Sequence, residues 1–141
     1  MKFEYLKFTL PRKSDFFGSS VLKPIIPIRI CFADRSLQYQ ALIDSGADFS
    51  IFHKEFGEAL GIDIKTGTVL DFGGVQKARS SLAYLHEITL VVGGWKYKVN
   101  AAFSDDISDK SYGILGQKGF FDLFSVKFDY HKEEIELKQR K

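Results

Sequence analysis

The chain has 141 residues, enough for one domain with a sizeable hydrophobic core. Its 20 Lys and Arg residues nearly balance its 18 Asp and Glu residues, and the resulting net charge of +2 gives no reason to expect a nucleic-acid partner. The single cysteine, Cys31, excludes an internal disulfide and suits a reducing compartment. No apolar run approaches the ~18–20 residues of a membrane span, and the charged N-terminus lacks a signal-peptide core. We therefore expect a cytoplasmic protein with no membrane partner.

The first 23 residues predict a strand followed by a loop. Residues 3–10 alternate loosely between apolar and polar side chains and favour a strand, which Pro11 ends. Residues 15–23 contain Gly and Ser and predict a loop that exposes the pair Phe16-Phe17. The strand could pair with a second copy, with the C-terminal segment 135–137, or with neither.

The rest of the chain alternates between short apolar segments and turn residues, as all-β proteins do. The predicted strands occupy residues 28–32, 37–43, 50–52, 68–72, 75–84, 85–92, 95–103 and, as one strand or a hairpin, 126–137. Helical spacing of apolar residues predicts a short helix over 53–60 that Gly61 ends, and residues 120–124 favour one helical turn. Residues 104–111 form an acidic loop. We expect an all-β closed barrel or sandwich with one or two short helices.

One stretch, Ala-Leu-Ile-Asp-Ser-Gly-Ala-Asp at residues 41–48, indicates chemistry. Three apolar residues lead into Asp44, which would lie at the end of a buried strand, where a carboxylate is costly unless it is hydrogen-bonded or shared. A simpler interpretation is a turn in which Asp44 caps its own backbone and Gly46 supplies a positive φ. These residues alone leave both interpretations open.

The octet resembles the active-site segment of the aspartic peptidases, and Ala47 and Asp48 favour the single-lobed, retropepsin-like branch. About seventy residues later, residues 112–116 (Tyr-Gly-Ile-Leu-Gly) and the segment 119–129 resemble the family's second hallmark, in which a short helix and a closing strand follow two apolar residues and a glycine. The resemblance implies a retropepsin-like domain over 25–141, preceded by a strand and loop extension over 1–24.

The resemblance also implies how the site works. Aspartic peptidases use two carboxylates around one water, and this chain has one Asp-Ser-Gly. A homodimer would therefore have to supply the pair, with one Asp44 from each subunit. The resemblance gives Ser45 the role of bracing the two active-site loops, Gly46 that of close approach to the substrate, and Ala47 and Asp48 that of substrate binding. Ser45 could instead be a simple turn hydroxyl, with the bracing role depending on a catalytic Asp44, and Asp48 could equally form a local ion pair.

Residues Phe72, Gly73, Gly74 and Val75 are the candidate flap, a hairpin tip that closes over bound peptide. An ordinary hairpin turn explains them as well, and Gly93-Gly94 is chemically an equally good turn. Their order relative to the Asp-Ser-Gly motif favours the first pair of glycines as the flap. The resemblance implies that Ile114-Leu115-Gly116 packs beneath the aspartate loop, whereas Gly113 is most simply a turn residue.

Two functions compete. The first is an aspartic endopeptidase that cuts extended polypeptides around bulky apolar residues. The second is a binding or assembly module that keeps the fold with little turnover. Self-processing at Phe16-Phe17 is a third, weaker hypothesis, and those rings could instead anchor the N-terminal segment on the core. We expect no cofactor and no metal, because the three histidines are far apart in sequence, and we expect Cys31 to be buried and inert.

Overall fold

The computed structural model describes residues 1–72, 81–107 and 112–140. Twelve strands in three sheets make up most of it: β1 (Lys2–Glu4), β2 (Leu6–Ser14), β3 (Gly18–Lys23), β4 (Ile25–Phe32), β5 (Arg35–Ile43), β6 (Ile51–His53), β7 (Thr68–Phe72), β8 (Ser81–Val92), β9 (Trp95–Ser104), β10 (Gly113–Leu115), β11 (Phe124–Asp129) and β12 (Glu134–Gln139). The helices are α1 (Lys54–Ala59) and a single 3-10 turn (Ile64–Thr66). None of the helices in these ranges is long and apolar enough to cross a membrane.

Six strands close into a barrel. They follow the order β4-β5-β10-β6-β9-β8, and β8 pairs back with β4, while β7 extends the sheet beyond β8. The alternation along β4 shows why this sheet curls around a core. Ile26, Ile28 and Ile30 point inward and are buried, whereas Pro27 and Arg29 point outward. The predicted all-β closed fold with short helices is confirmed.

A second sheet, β1-β12-β11, packs against the barrel and shares its core. Phe120, Phe124, Ile135 and Leu137 are almost fully buried and belong to the same apolar cluster as the barrel interior. The strand at the N-terminus pairs with the C-terminal segment, with Phe3 opposite Ile135. Of the three pairings left open for this strand, the structure therefore contains the intramolecular one. The predicted helical turn at 120–124 is also present, closed by the Phe124 N–H donating to the Phe120 carbonyl.

The first 23 residues differ from the sequence prediction. The predicted strand over 3–10 is divided between β1 and β2, and β2 continues through Pro11 to Ser14. A shift in register between Thr9 and Ser14 accommodates the proline, which has no N–H to give to a ladder. The predicted loop over 15–23 is wrong for residues 18–23, which form β3 and pair with β2.

Other local predictions have mixed outcomes. The exposure of Phe16 and Phe17 is confirmed, so the idea that their rings anchor the segment on the core is wrong. Cys31 is half-buried rather than buried. Residues 81–92 form one strand, β8, which pairs with β7 at one end and with β9 along its length, so the predicted division at residue 85 is wrong.

Helix α1 is present but shorter by one residue at each end than the predicted 53–60, because residues 53 and 60 are its caps. The Nδ1 atom of His53 accepts a hydrogen bond from the Glu55 N–H at 3.2 Å, which makes His53 the N-cap rather than the first helical residue. Gly61 follows the helix with a left-handed φ of +86°, a conformation that glycine adopts without steric cost.

Candidate active site

The segment after β5 holds Asp44 in a tight, hydrogen-bonded loop. The Asp44 N–H donates to the carbonyl of Leu115 at 3.0 Å, and its carbonyl accepts from the Ala47 N–H at 3.2 Å. Its Oδ1 atom accepts from the Gly46 N–H at 2.9 Å. Asp44 therefore caps its own turn, as the simpler interpretation predicts, and remains half-buried at the end of a barrel strand, as the chemical interpretation requires.

Gly46 is not needed for a positive φ, so that part of the simpler interpretation is wrong. A Cβ atom at this position would lie 3.2 Å from Asp44 Oδ1, closer than ordinary van der Waals contact. The glycine therefore keeps space beside the carboxylate. Ser45, Gly46 and Asp48 are exposed and Ala47 is half-buried, so a molecule approaching this end of the barrel meets these four residues together with Asp44.

The second motif lies directly beneath this loop. Strand β10 runs parallel to β5, with Leu115 opposite Ile43, and antiparallel to β6, with Ile114 opposite Ile51. It thus fills the gap between the strand that precedes the Asp44 loop and the strand that follows it. The predicted packing of Ile114-Leu115-Gly116 beneath the loop is what the structure contains.

Both glycines of this motif are required by close approach. A Cβ atom on Gly116 would lie 2.6 Å from the carbonyl carbon of Phe49 and 2.8 Å from the carbonyl oxygen of Ala47. Gly113 belongs to β10 rather than to a turn, and a Cβ there would collide with the ring of Phe52. The turn interpretation of Gly113 is therefore wrong, although its need for a glycine is real.

The residues after Gly116 donate hydrogen bonds to backbone carbonyls of the Asp44 loop. The Gln117 N–H donates to the Ala47 carbonyl at 2.8 Å, and the Lys118 N–H donates to the Asp48 carbonyl at 3.0 Å. The side chain of Gln117 also donates, through Nε2, to the Ser45 carbonyl at 2.8 Å. Sequence reasoning missed this contact, and its only signal is a long amide side chain directly after the second motif.

Ser50 completes the support from inside the barrel. Its buried Oγ atom accepts from the Gly116 N–H at 3.2 Å, and its carbonyl accepts from the Ala102 N–H at 2.9 Å. Buried hydrogen bonds of this kind are costly to break, because a donor or acceptor would be left without a partner. The Asp44 loop is therefore fixed to both of its neighbouring chain segments.

The base of the candidate flap reaches the same site. Phe72, the last residue of β7, meets Phe49 edge-on with ring centroids 6.0 Å apart. Both rings pack on a small apolar cluster, separate from the main core, whose members are Phe49, Ile51, Phe72, Ala83, Leu85, Ala102, Ile107 and Ile114. Gly73, Gly74 and Val75, the other predicted flap residues, lie outside the described residues. Asp48 has no ion pair with any residue that the structure describes.

The histidines occupy three separate places. His53 caps α1, His86 contacts the carbonyl of Ile64 through Nε2 at 2.7 Å, and His131 is exposed. Across residues 1–72, 81–107 and 112–140, no three His, Cys, Asp or Glu side chains group together as metal ligands would.

Comparison with known proteins agrees with this geometry. A sequence model described as aspartyl protease matches residues 28–118, a range that includes both the Asp44 loop and Gly116. Comparison with curated proteins gives no match.

Two solved structures share the fold at low sequence identity. A retropepsin-like aspartic protease from Rickettsia conorii is 17% identical, with a TM-score of 0.58 over 97% of this chain and 92% of that one. The retroviral protease-like domain of Ddi1 from Leishmania major is 16% identical, with a TM-score of 0.54 over 82% of this chain and 87% of that one. The chain therefore has a retropepsin-like fold and belongs to the aspartyl protease family, whose members are endopeptidases that hydrolyse peptide bonds.

Proposed function

We propose that the active enzyme is a homodimer in which two Asp44 carboxylates, one from each subunit, activate a water molecule for peptide-bond hydrolysis. The observation that carries the proposal is the Asp44 loop itself. Its backbone is hydrogen-bonded from both sides, yet the carboxylate stays at the accessible end of the barrel. The sequence contains one Asp-Ser-Gly, so a second copy is the source of the second carboxylate.

The chemistry needs the two carboxylates to share one proton, because like charges at close range cannot both ionise. The ionised carboxylate takes a proton from the water, whose oxygen attacks the carbonyl carbon of the substrate. The protonated carboxyl donates to the carbonyl oxygen, which carries the developing negative charge. A proton then passes to the leaving nitrogen and the C–N bond breaks, so that one water yields a carboxylic acid and an amine.

The neighbours of Asp44 have proposed roles in the same reaction. The exposed Ser45 would brace the two loops across the dimer axis, and Gly46 would let the substrate backbone approach the carboxylate. Ala47 and Asp48 would line the path of the substrate, with the exposed carboxylate of Asp48 accepting hydrogen bonds from its backbone. Phe72, with Gly73, Gly74 and Val75, would form the flap.

A preference for bulky apolar residues around the cut is supported by the small apolar cluster beside the loop. Phe49, Phe72 and Ile114 are only half-buried in it, so part of their apolar surface remains available to a substrate side chain. The substrate would be an extended polypeptide, because a cleft bounded by strands recognises a strand-like backbone. We assign these parts to a peptidase domain over 25–141, with residues 1–24 as an extension. The lone Cys31 supports action in the reducing cytoplasm.

The second candidate is a binding module that keeps the fold with little turnover, because a fold alone does not fix an activity. The intact Asp44-Ser45-Gly46 speaks against it, because a scaffold has no chemical need for a carboxylate there.

The test is cleavage of peptides with aromatic or aliphatic junctions from about pH 4 to pH 8, with molecular mass measured in the same solutions. Asp44→Asn should abolish cleavage and leave the dimer intact. Asp34→Asn, which changes an exposed aspartate in the β4–β5 turn, is the matched control and should cut at the wild-type rate. Cleavage that survives Asp44→Asn, or cleavage by a persistent monomer, refutes the shared-aspartate proposal. A dimer that cuts nothing favours the binding module.

A further inference from the structure

The hairpin formed by β2 and β3, residues 6–23, makes few contacts with its own subunit. It is a sheet of two strands that pairs with no other described strand, and none of its residues is buried. A two-stranded hairpin alone is marginally stable in water and needs a packing partner. We refer to residues 6–23 as the N-terminal arm.

The arm carries apolar side chains that the described residues cover only in part. Phe8 and Val21 are opposite each other on one face, and Phe8 is 38% exposed. At the tip, Phe16 is 87% exposed and Phe17 is 55% exposed, and the two rings meet edge-on at 4.8 Å. Exposed apolar groups that are clustered in this way mark interaction surfaces.

The tip has a defined shape. Ser14 Oγ accepts hydrogen bonds from the N–H groups of Phe16 and Phe17, at 3.1 and 3.0 Å, so the turn is fixed by its own side chain. Residues on both sides of it are paired within the hairpin. A peptidase binds its substrate as a free extended strand, so this paired turn is poorly suited to self-processing. A docking role for the two rings fits the geometry better.

The root of the arm lies beside the Asp44 loop. The Pro24 carbonyl accepts from the N–H of Ile43, the residue before Asp44, at 2.9 Å. Lys23 Nζ donates to the hydroxyl of Tyr112, directly before β10, at 3.1 Å, and lies over the Phe8 ring at 5.4 Å. The arm therefore begins where the proposed function brings a second copy, and the nine residues of β2 have a length of roughly 30 Å.

We infer that the N-terminal arm is a dimerisation element whose Phe16-Phe17 tip and Phe8 face pack against the second copy of this chain. This inference rests on the proposed homodimer. Charge supports the choice of partner. The arm contains four basic residues and one acidic residue, Asp15, whereas in the rest of the chain the acidic residues slightly outnumber the basic ones. A basic arm and a slightly acidic body attract each other on encounter.

The test is the dimer dissociation constant by sedimentation equilibrium, with the cleavage rate measured across protein concentration. Replacing both tip residues, Phe16→Ser with Phe17→Ser, removes two large apolar side chains and should raise the dissociation constant at least tenfold. Activity should fall at low concentration and recover at high concentration, because the catalytic residues are untouched. The matched control is Trp95→Ser, which changes a 65% exposed aromatic residue at the start of β9 and should change neither quantity.

A second variant removes the arm altogether. Leu6 and Lys23 are cross-strand partners, so a Gly-Ser-Gly linker can join Tyr5 to Pro24, and no buried residue is lost. We expect this variant to fold, as shown by cooperative unfolding in urea, and to be monomeric at concentrations where the wild type is a dimer. If both variants have the wild-type dissociation constant, the arm is not a dimerisation element, and the proposed function is unaffected. A wild-type chain that is monomeric at every concentration instead overturns the proposed homodimer, and the arm with it.

Discussion

Replacing Gly116 by Ala should damage the candidate site from below. The added Cβ would lie 2.6 Å from the Phe49 carbonyl carbon and 2.8 Å from the Ala47 carbonyl oxygen, and both are backbone atoms that no rotamer change can move away. Overpacking costs about 1–3 kcal/mol, and shifting Ala47 also strains its hydrogen bond from Gln117, worth about 1 kcal/mol. We therefore expect a loss of about 2–4 kcal/mol in the free energy of unfolding. Activity should fall as well, because Ala47 lies three residues after Asp44.

The assay is urea unfolding together with kcat/KM per folded molecule. Gly57→Ala in helix α1 is the matched control, since its Cβ would also be crowded, at 2.6 Å from Ile64 and 2.8 Å from Phe103. These are side-chain atoms that can rotate, and alanine favours a helix by about 1 kcal/mol over glycine. The control should lose less than about 2 kcal/mol of stability and keep its activity per folded molecule. Our reasoning is refuted if Gly116→Ala unfolds within about 0.5 kcal/mol of the wild type and cuts at the wild-type rate.

Three further predictions concern other contacts. Gln117→Ala removes the hydrogen bond to the Ser45 carbonyl, so kcat/KM should fall several-fold while the free energy of unfolding changes by less than about 1.5 kcal/mol. An unchanged kcat/KM would contradict the role of Gln117 in holding the Asp44 loop. Burial raises the pKa of Tyr39 to about 12, so the stabilisation from the neutral hydroxyl is complete below about pH 10 and is lost as the pH rises toward 12, by about 2 kcal/mol. Urea unfolding at about pH 10 and about pH 12 should show this loss in the wild type and not in Tyr39→Phe. Ser104→Ala removes the Oγ atom that donates to the Leu82 carbonyl at 2.5 Å and accepts from the Asp106 N–H at 3.0 Å, so the free energy of unfolding should fall by about 1–3 kcal/mol in urea unfolding. A change within about 0.5 kcal/mol would show that neither hydrogen bond stabilises the protein.

The all-β fold and the Asp44 loop were predictable because each leaves a local pattern. The alternation of β4 and the apolar run before Asp44 identify strands without reference to the rest of the chain. Gly116 was predictable for a different reason, since the absence of a side chain signals that two segments approach closely.

What was missed has no such pattern. The β2–β3 hairpin lacks a buried face, so its residues show no strict alternation, and Pro11 within β2 reads as the end of a strand. The contact from Gln117 to Ser45 joins residues 72 positions apart, and a single amide side chain gives no sign of its distant partner. The predicted break between residues 84 and 85, which assigned them to two hairpins, was wrong. One long strand, β8, pairs with different partners along its length, and the sequence does not show where one partner replaces another.

Because β10 lies between β5 and β6, the Asp44 loop receives its support from a segment that is synthesised much later than the loop itself. Gln117 and Ser45, which meet in the finished loop, are separated by 72 residues, and at 5–20 residues per second a ribosome needs about 4–14 s to make that stretch. During this interval Asp44 has been made but the segment that supports its loop has not. The nascent chain therefore carries the Asp44 carboxylate on an unbraced loop, and the loop gains this support only after Gln117 has been made.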